Sequence, residues 1–210
     1  AITKIVDDNT KMIFVCSPNN PTANLMDIKS IITLCQTYQD TALIVVDETY
    51  IEFSSGKTVI TQLDNFTNLV VLRTMSKSHA AAGLRCGAAV AHSDVSAILQ
   101  KVLAPYPLAV PVIQEALSIL RPENSEKLAK KRADIVARRD EYAAIMTGID
   151  DVISVLPSDA NYLLLLVRDA KAFCDRARES GIILRNQSHQ VGLKNAVRIS
   201  IGNDEEMQLL

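Results

Sequence analysis

Reactive side chains follow three short apolar runs of this 210-residue chain. The three groups are a pair of amides, a carboxylate with a phenol, and two hydroxyls with an amine. They are Asn19 and Asn20 after "MIFVCS" (12–17), Asp47 and Tyr50 after "ALIVV" (42–46), and Thr74, Ser76 and Lys77 after "LVVLR" (69–73). Arg85 lies eight residues beyond Lys77, next to the small residues 80–83. Together these groups could bind an anion, hold a proton and form a covalent bond.

The three apolar runs are expected to form neighbouring parallel strands. Each run is short and almost continuously apolar, which is typical of strands buried on both faces of a parallel sheet. Residues 24–40, between the first two runs, carry apolar side chains at helical spacing and predict the crossover helix of a βαβ unit. Open α/β sheets bind ligands at the carboxyl ends of their strands, so we expect the reactive side chains at one such edge.

This combination of side chains suits pyridoxal 5'-phosphate. That cofactor needs a lysine that bonds covalently to its aldehyde, a carboxylate beside its ring nitrogen, a donor to its phenolic oxygen and a cradle for its phosphate. Lys77 would form the covalent bond, and Asp47 would lie beside the ring nitrogen. Tyr50 with Asn20 would donate to the phenolic oxygen, and the phosphate cradle would consist of Thr74, Ser76 and Arg85. Each residue alone also suits a structural role, in a turn, a cap or an ion pair. Their joint occurrence after three successive strands is what favours a site.

Six motifs give the chain a family resemblance. "SPNNPTAN", "VVDETYIEF" and "RTMSKSHAAAGLRCG" together resemble the fold type I aminotransferases. "APYPL", "GIILRNQ" and "VRISIGNDEE" make the chain more narrowly similar to the histidinol-phosphate aminotransferase family, from about residue 11 to the end. The resemblance implies an α/β fold, with part of a mostly parallel-sheet large domain and a small α+β C-terminal domain.

The resemblance also implies what each residue does. Lys77 would be the covalent and catalytic residue, Asp47 would pair with the ring nitrogen, and Tyr50 and Asn20 would bind the phenolic oxygen. Thr74, Ser76 and Arg85 would hold the cofactor's phosphate, while Arg198 and Arg185 would bind the substrate anion. The implied reaction is transamination between histidinol phosphate and 2-oxoglutarate or glutamate, in histidine biosynthesis, by a homodimer.

Two positions depart from the family pattern. Ala23 stands where the family usually has glycine, which constrains the turn if its backbone needs a positive φ. His79 stands where an apolar residue is usual, and we expect a packed or hydrogen-bonded structural role for it. Neither replaces a residue with a chemical role, so they affect the subgroup more than the activity.

Arg198 is also singled out by strand alternation. In "VRISIG", Val197, Ile199 and Ile201 alternate with Arg198 and Ser200. The arginine therefore points away from the apolar face, where a guanidinium suits either a carboxylate or a phosphate. An exposed strand arginine remains the alternative, and the family resemblance favours a ligand.

Composition excludes several classes of protein. Apolar residues make up 48% of the chain, charged residues 22%, and the formal net charge is −2, so no basic surface for nucleic acid or membrane is expected. The four cysteines are widely spaced and predict neither a metal site nor a disulfide framework. Without a signal peptide or a run long enough to span a bilayer, a cytoplasmic protein is the expectation.

We expect two domains and a chain cut from a longer one. Residues 1–123 would be the C-terminal part of the cofactor-binding large domain, and 124–210 a linking helix and small domain. The chain begins with a strand that needs neighbours on both sides. It ends in "GNDEEMQLL", which starts a capped helix that stops within about two turns.

Three alternatives stay open. Aromatic or aspartate-type aminotransferases and threonine-phosphate decarboxylases share the cofactor residues. A pyridoxal-phosphate-binding sensor domain of a transcription regulator would share them too, without being an enzyme. The fragment alone is expected to be inactive, because it lacks part of the sheet.

Overall fold

The computed structural model describes residues 2–210 as two compact units. The first unit contains the chain up to Pro18 and then Leu25–Glu126, and the second contains Asn19–Asn24 and Lys127–Leu210. The sequence predicted one boundary, between residues 123 and 124, and not the separate grouping of segment 19–24. The assignment of domains remains a prediction.

The first unit is built on a four-stranded sheet. Its strands are β1 (Met12–Cys16), β2 (Leu43–Asp47), β3 (Leu69–Thr74) and β4 (Gly87–Ala91). They are ordered β1-β2-β3-β4, and the first three are parallel, as the apolar runs predicted. β4 is antiparallel to β3.

Three α-helices and several 3₁₀ helices accompany this sheet. The α-helices are α1 (Ile28–Thr37), α2 (Ser93–Val102) and α3 (Val110–Ile119). The 3₁₀ helices are Ile2–Lys4, Ile51–Phe53, Val59–Asn65 and Ala82–Leu84. α1 is shorter than the predicted span 24–40, because Asp27 caps its first turn by accepting a hydrogen bond from the Lys29 amide. α2 was not predicted, although its Val95, Ile98, Leu99 and Val102 recur at helical spacing.

The core of the first unit lies between α1 and the sheet. It includes Val15, Ile44, Val46 and Val71 from the strands, with Ile31 from α1. These side chains are almost wholly inaccessible, and Val45 and Val70 are buried on the other face of β2 and β3. β1 differs from the expectation of burial on both faces, because its Met12 and Phe14 are exposed.

The second unit is an antiparallel sheet with three helices. Its strands are β5 (Val152–Val155), β6 (Tyr162–Val167), β7 (Arg185–Asn186) and β8 (Ala196–Ser200), in the order β5-β6-β8-β7. Its helices are α4 (Pro122–Thr147), which leads into the unit, α5 (Ala170–Glu179) and α6 (Asp204–Gln208). Gly181 follows the end of α5 with a positive φ of 83°. As predicted, a capped helix starts within residues 202–210, with Asn203 as the cap of α6.

No helix among residues 2–210 is long and apolar enough to cross a membrane.

The two sheets define the fold class. The fold is an α/β unit with a mostly parallel sheet, followed by a smaller α+β unit, as the sequence predicted.

Asn68 ties β3 to the chain before β2. Its buried amide nitrogen lies 3.1, 3.2 and 3.1 Å from the carbonyl oxygens of Cys35, Tyr38 and Ala42. We expect Asn68→Ala to lower the free energy of unfolding by about 2–3 kcal/mol, because buried carbonyls would lose their donor. Chemical denaturation of the full-length protein measures this, with the exposed Asn65→Ala as control; equal stability of the two variants would contradict it.

Candidate active site

The carboxyl ends of β1, β2 and β3 lie at one edge of the first unit's sheet. Cys16 pairs with Asp47, and Asp47 pairs with Leu72, in parallel register. Since side chains alternate along a strand, Asp47 and Thr74 point to the same face, and Glu48 and Arg73 to the other. The strand order thus brings the predicted carboxylate and hydroxyl to one edge and one face.

Lys77 lies in the connection between β3 and β4. The connection is closed by hydrogen bonds from the Met75 amide to the Cys86 carbonyl (3.1 Å) and from the Ala81 amide to the Met75 carbonyl (3.1 Å). The Lys77 side chain is exposed, and its Nζ lies 5.8 Å from the centre of the Tyr50 ring. A primary amine is therefore held beside a buried phenol.

Asp47 ends β2 as a half-buried carboxylate. Its Oδ1 accepts hydrogen bonds from the Thr49 amide (2.9 Å) and the Thr49 hydroxyl (2.6 Å). Its Oδ2 takes part in no hydrogen bond within residues 2–210, so one oxygen is oriented by the turn and the other can accept a proton-bearing group.

Thr74 and Ser76 form a small polar group just before Lys77. Their hydroxyl oxygens are 2.9 Å apart, and the Ser76 amide donates to the Thr74 hydroxyl at 3.1 Å. Arg85 follows the 3₁₀ helix Ala82–Leu84 with a φ of 52°, and its exposed guanidinium donates to the Ala82 carbonyl at 2.9 Å. Hydroxyls and a guanidinium are suitable donors for a phosphate.

The other predicted residues, Asn20, Arg185 and Arg198, belong to the second unit. Arg198 is half-buried, donates to the Asn20 Oδ1 at 2.9 Å, and stacks its guanidinium 5.1 Å from the centre of the Tyr162 ring. This bond uses the oxygen of the Asn20 amide, which leaves its NH₂ group to donate elsewhere. The structure thus joins Asn20 and Arg198 directly.

Arg185 and Arg198 lie directly opposite each other in the antiparallel pairing of β7 and β8. Arg185 is exposed and has neither a hydrogen bond nor an ion pair with residues 2–210, and the Nε of Arg198 is buried without a hydrogen-bond partner there. Like charges in this position repel each other, so an anion between them would stabilise the pair. Both arginines also line a surface cavity of about 460 Å³.

Sequence reasoning missed a charged network behind the sheet edge. Glu48 is only 1% exposed and pairs with Arg73 at 2.8 Å, and Arg73 pairs with Glu52 at 2.7 Å. The signal available in the sequence was that Glu48 follows Asp47 and Arg73 precedes Thr74. Which charged residues pair, however, depends on the strand register. Cys16 was also missed; burial, and then the charge of Asp47, raises the pKa of its thiol.

The two departures from the family pattern have different consequences. Ala23 is fully buried with a φ of 60°, its amide donates to the Asn19 carbonyl at 2.7 Å, and its carbonyl accepts from the Asp159 amide at 2.8 Å. The turn does therefore impose a positive φ on it. His79 is half-buried, and its Nδ1 lies 2.9 Å from the Ser78 hydroxyl, which agrees with a hydrogen-bonded structural role.

The fold is that of the class I and II aminotransferases. The chain matches the model of aminotransferase class I and II over residues 1–210, and it belongs to that family.

Within this family, the chain is similar to curated histidinol-phosphate aminotransferases. The chain is 42% identical to histidinol-phosphate aminotransferase 2 of Mannheimia succiniciproducens over 94% of its own length and 57% of the relative's. It is 43% identical to histidinol-phosphate aminotransferase 2 of Idiomarina loihiensis over 95% of its length and 57% of that protein's. The chain thus spans little more than half the length of these relatives.

Solved structures share the fold. The histidinol-phosphate aminotransferase of Clostridium acetobutylicum superposes with a TM-score of 0.87 at 20% identity, covering 99% of this chain and 63% of that one. L-threonine-O-3-phosphate decarboxylase of Porphyromonas gingivalis gives 0.83 at 23% identity, with 98% and 64% covered. At these identities the likeness concerns the fold, and enzymes of both reaction types share it.

The backbone at Ala23 leads to a test of the turn. We expect Ala23→Gly to change the free energy of unfolding by no more than about 0.5 kcal/mol, since relief of strain offsets the lost methyl group and the added chain entropy. Ala23→Val should cost at least about 2 kcal/mol, because a β-branched residue suits neither this φ nor the space. Thermal denaturation compares the two, and a valine variant as stable as the glycine one would disprove the strain.

Proposed function

We propose that this chain is part of a pyridoxal-phosphate-dependent aminotransferase that acts between histidinol phosphate and 2-oxoglutarate or glutamate. The observation that carries the proposal is the grouping of Asp47, Tyr50, Thr74, Ser76 and Lys77 at the carboxyl edge of one parallel sheet. The identity of about 40% with histidinol-phosphate aminotransferases supports the substrate assignment.

The residues present suit pyridoxal 5'-phosphate by their chemistry. Asp47 keeps an oxygen available for the pyridine nitrogen, and Tyr50 with the Asn20 amide would bind the phenolic oxygen. The hydroxyls of Thr74 and Ser76 and the Arg85 guanidinium would hold the phosphate. The bound cofactor supplies a ring that accepts electrons from the substrate's Cα.

Lys77 has two tasks in this proposal. Its Nζ would hold the cofactor covalently, and the same nitrogen, as a free amine, would remove the proton from the substrate's Cα. Tyr50 limits where that nitrogen can lie, since the amine approaches its ring at 5.8 Å. Asp47 favours a proton on the ring nitrogen, because a carboxylate stabilises the positive charge there.

Arg198, with Arg185 as a second contact, would bind the substrate anion. The opposed positions of the two side chains and the partnerless Nε of Arg198 among residues 2–210 support this role. A guanidinium accepts a carboxylate or a phosphate in the same planar fork. One site could therefore serve glutamate and histidinol phosphate in turn.

We further propose that the complete protein works as a homodimer in the cytoplasm. This part of the proposal rests on the family resemblance, and light scattering of the full-length protein tests the dimer.

Lys77→Ala should lower kcat of the full-length enzyme by at least about 10³-fold, because both the covalent bond and the proton-transfer group are lost. Steady-state assays with histidinol phosphate and 2-oxoglutarate measure this, with the exposed Lys101→Ala as control. Borohydride reduction followed by peptide mapping should place the cofactor on Lys77. Appreciable turnover by Lys77→Ala would refute the assignment.

Arg198→Ala should raise KM by about 10- to 100-fold for both histidinol phosphate and glutamate, since each anion would lose a charge-assisted hydrogen bond. The exposed Arg176→Ala, which changes a distant ion pair with Asp151, is the matched control in the same unit. Unchanged KM values for both substrates would exclude the role. Release of carbon dioxide from threonine phosphate, with no amino transfer, would favour the decarboxylase alternative instead.

A further inference from the structure

The network of Glu48, Arg73 and Glu52 is a closed set of charged hydrogen bonds. The Oε1 of Glu48 accepts from the Val59 amide at 2.7 Å, and its Oε2 accepts from the Thr58 hydroxyl at 2.6 Å and from Arg73 at 2.8 Å. The other terminal nitrogen of Arg73 donates to the Oε1 of Glu52 at 2.7 Å. One guanidinium is thereby shared between two carboxylates.

The network lies on the side of the sheet opposite the candidate site. Glu48 follows Asp47, Arg73 precedes Thr74, and the Glu48 amide donates to the Leu72 carbonyl at 3.0 Å. Because side chains alternate, a contact that holds Glu48 to Arg73 also fixes the backbone that carries Asp47 and Thr74. The ion pair acts on these two residues from behind the sheet.

The two carboxylates of the network flank Tyr50 in the sequence. Glu48 and Glu52 are four residues apart, Tyr50 lies midway between them, and Arg73 holds both ends of the segment. The Tyr50 ring is 7% exposed and faces the Lys77 amine. Displacement of the backbone at Tyr50 would therefore strain at least one of the two ion pairs.

The energetics favour a positioning role over a purely stabilising one. A buried ion pair contributes little net stability, because desolvation offsets much of the attraction between the charges. Its geometry is nevertheless specific, since a guanidinium fork fits two carboxylates only in a narrow set of arrangements.

We propose that Arg73, held between Glu48 and Glu52, is a positioning residue that keeps Tyr50 and Asp47 in place at the cofactor edge. The assignment rests on the proposed function, because it takes Tyr50 as the donor to the cofactor's phenolic oxygen. Arg73 itself has no contact with substrate or cofactor in this scheme. It acts through the segment 47–52.

The first test uses the absorbance of bound pyridoxal phosphate in the full-length protein. A hydroxyl that donates a hydrogen bond to the phenolic oxygen stabilises negative charge there, and it therefore favours the deprotonated form of the chromophore. If Tyr50 is displaced, the pH midpoint of the absorbance change should therefore rise, by about one unit, and the Kd for pyridoxal phosphate should increase about tenfold.

Three variants separate the parts of the network. Glu52→Ala opens one end of the segment while leaving the buried Glu48–Arg73 pair intact, so it should fold and show both changes. Glu52→Gln keeps an oxygen that can accept from Arg73 and should resemble the wild type. Arg73→Met removes both pairs and should show the larger effect where it folds.

Asn68→Ala is the matched control for lost stability. Asn68 precedes the other end of β3, and its replacement should lower stability without moving the absorbance midpoint. A wild-type midpoint and Kd in Glu52→Ala would overturn the positioning role. So would a shift in Asn68→Ala as large as that in Glu52→Ala, because the change would then report stability alone.

A second measurement does not depend on the cofactor. In the cofactor-free full-length protein, amide hydrogen exchange of residues 48–52 should be about tenfold faster in Glu52→Ala than in wild type, and unchanged in Asn68→Ala. Equal exchange in wild type and Glu52→Ala would refute the constraint on Tyr50. Failure of the wild type to bind pyridoxal phosphate would instead refute the proposed function, and the exchange result would stand separately.

Discussion

The parallel register of β1, β2 and β3 is the constraint on which the first half of the site depends. Parallel strands end at a common edge, so residues as far apart in the chain as Cys16, Asp47 and Leu72 are delivered to the same place. A slip of one residue between β2 and β3 would turn Asp47 or Thr74 to the opposite face. Chemistry at this edge therefore depends on buried aliphatic packing, which sets the register, as much as on the polar residues.

The buried aliphatic residues alone leave the ends of the strands free to fray. β2 and β3 pass into irregular backbone after Asp47 and Thr74, where apolar packing gives way to polar side chains. Glu48 and Arg73 lie at this transition and extend the contact between the strands by one more pair. The ion pair therefore orders the ends of β2 and β3 beyond the point where apolar packing stops.

Much of the fold could be predicted because its physical cause is local in the sequence. The middle of β2 and the first half of β3 are buried on both faces and must be apolar there, whereas β1 buries only one face. Gly181 and Asn203 are favoured by backbone geometry at helix ends. α2 was missed although Val95, Ile98, Leu99 and Val102 recur at helical spacing, and none of these side chains is buried in the first unit. The grouping of segment 19–24 with the second unit depends on contacts such as that of Tyr162 with Asn19, 143 residues apart, and spacing along the chain does not predict such contacts.

The same limit applies to the charged residues of the site, which look alike in the sequence but not in the structure. Arg73 has both terminal nitrogens bonded to carboxylates, and Arg138 is paired with Asp204 and the Gly202 carbonyl. Lys77 and Arg185, by contrast, are exposed, and the Nε of Arg198 has no partner within residues 2–210. Cations whose charge is already matched hold the chain in place, whereas those left open retain the capacity to bind an anion or transfer a proton. The distinction between cations that support the fold and cations open to a ligand is therefore a property of the contacts. Arg73 is of the first kind, and the proposed function requires Lys77, Arg185 and Arg198 to be of the second.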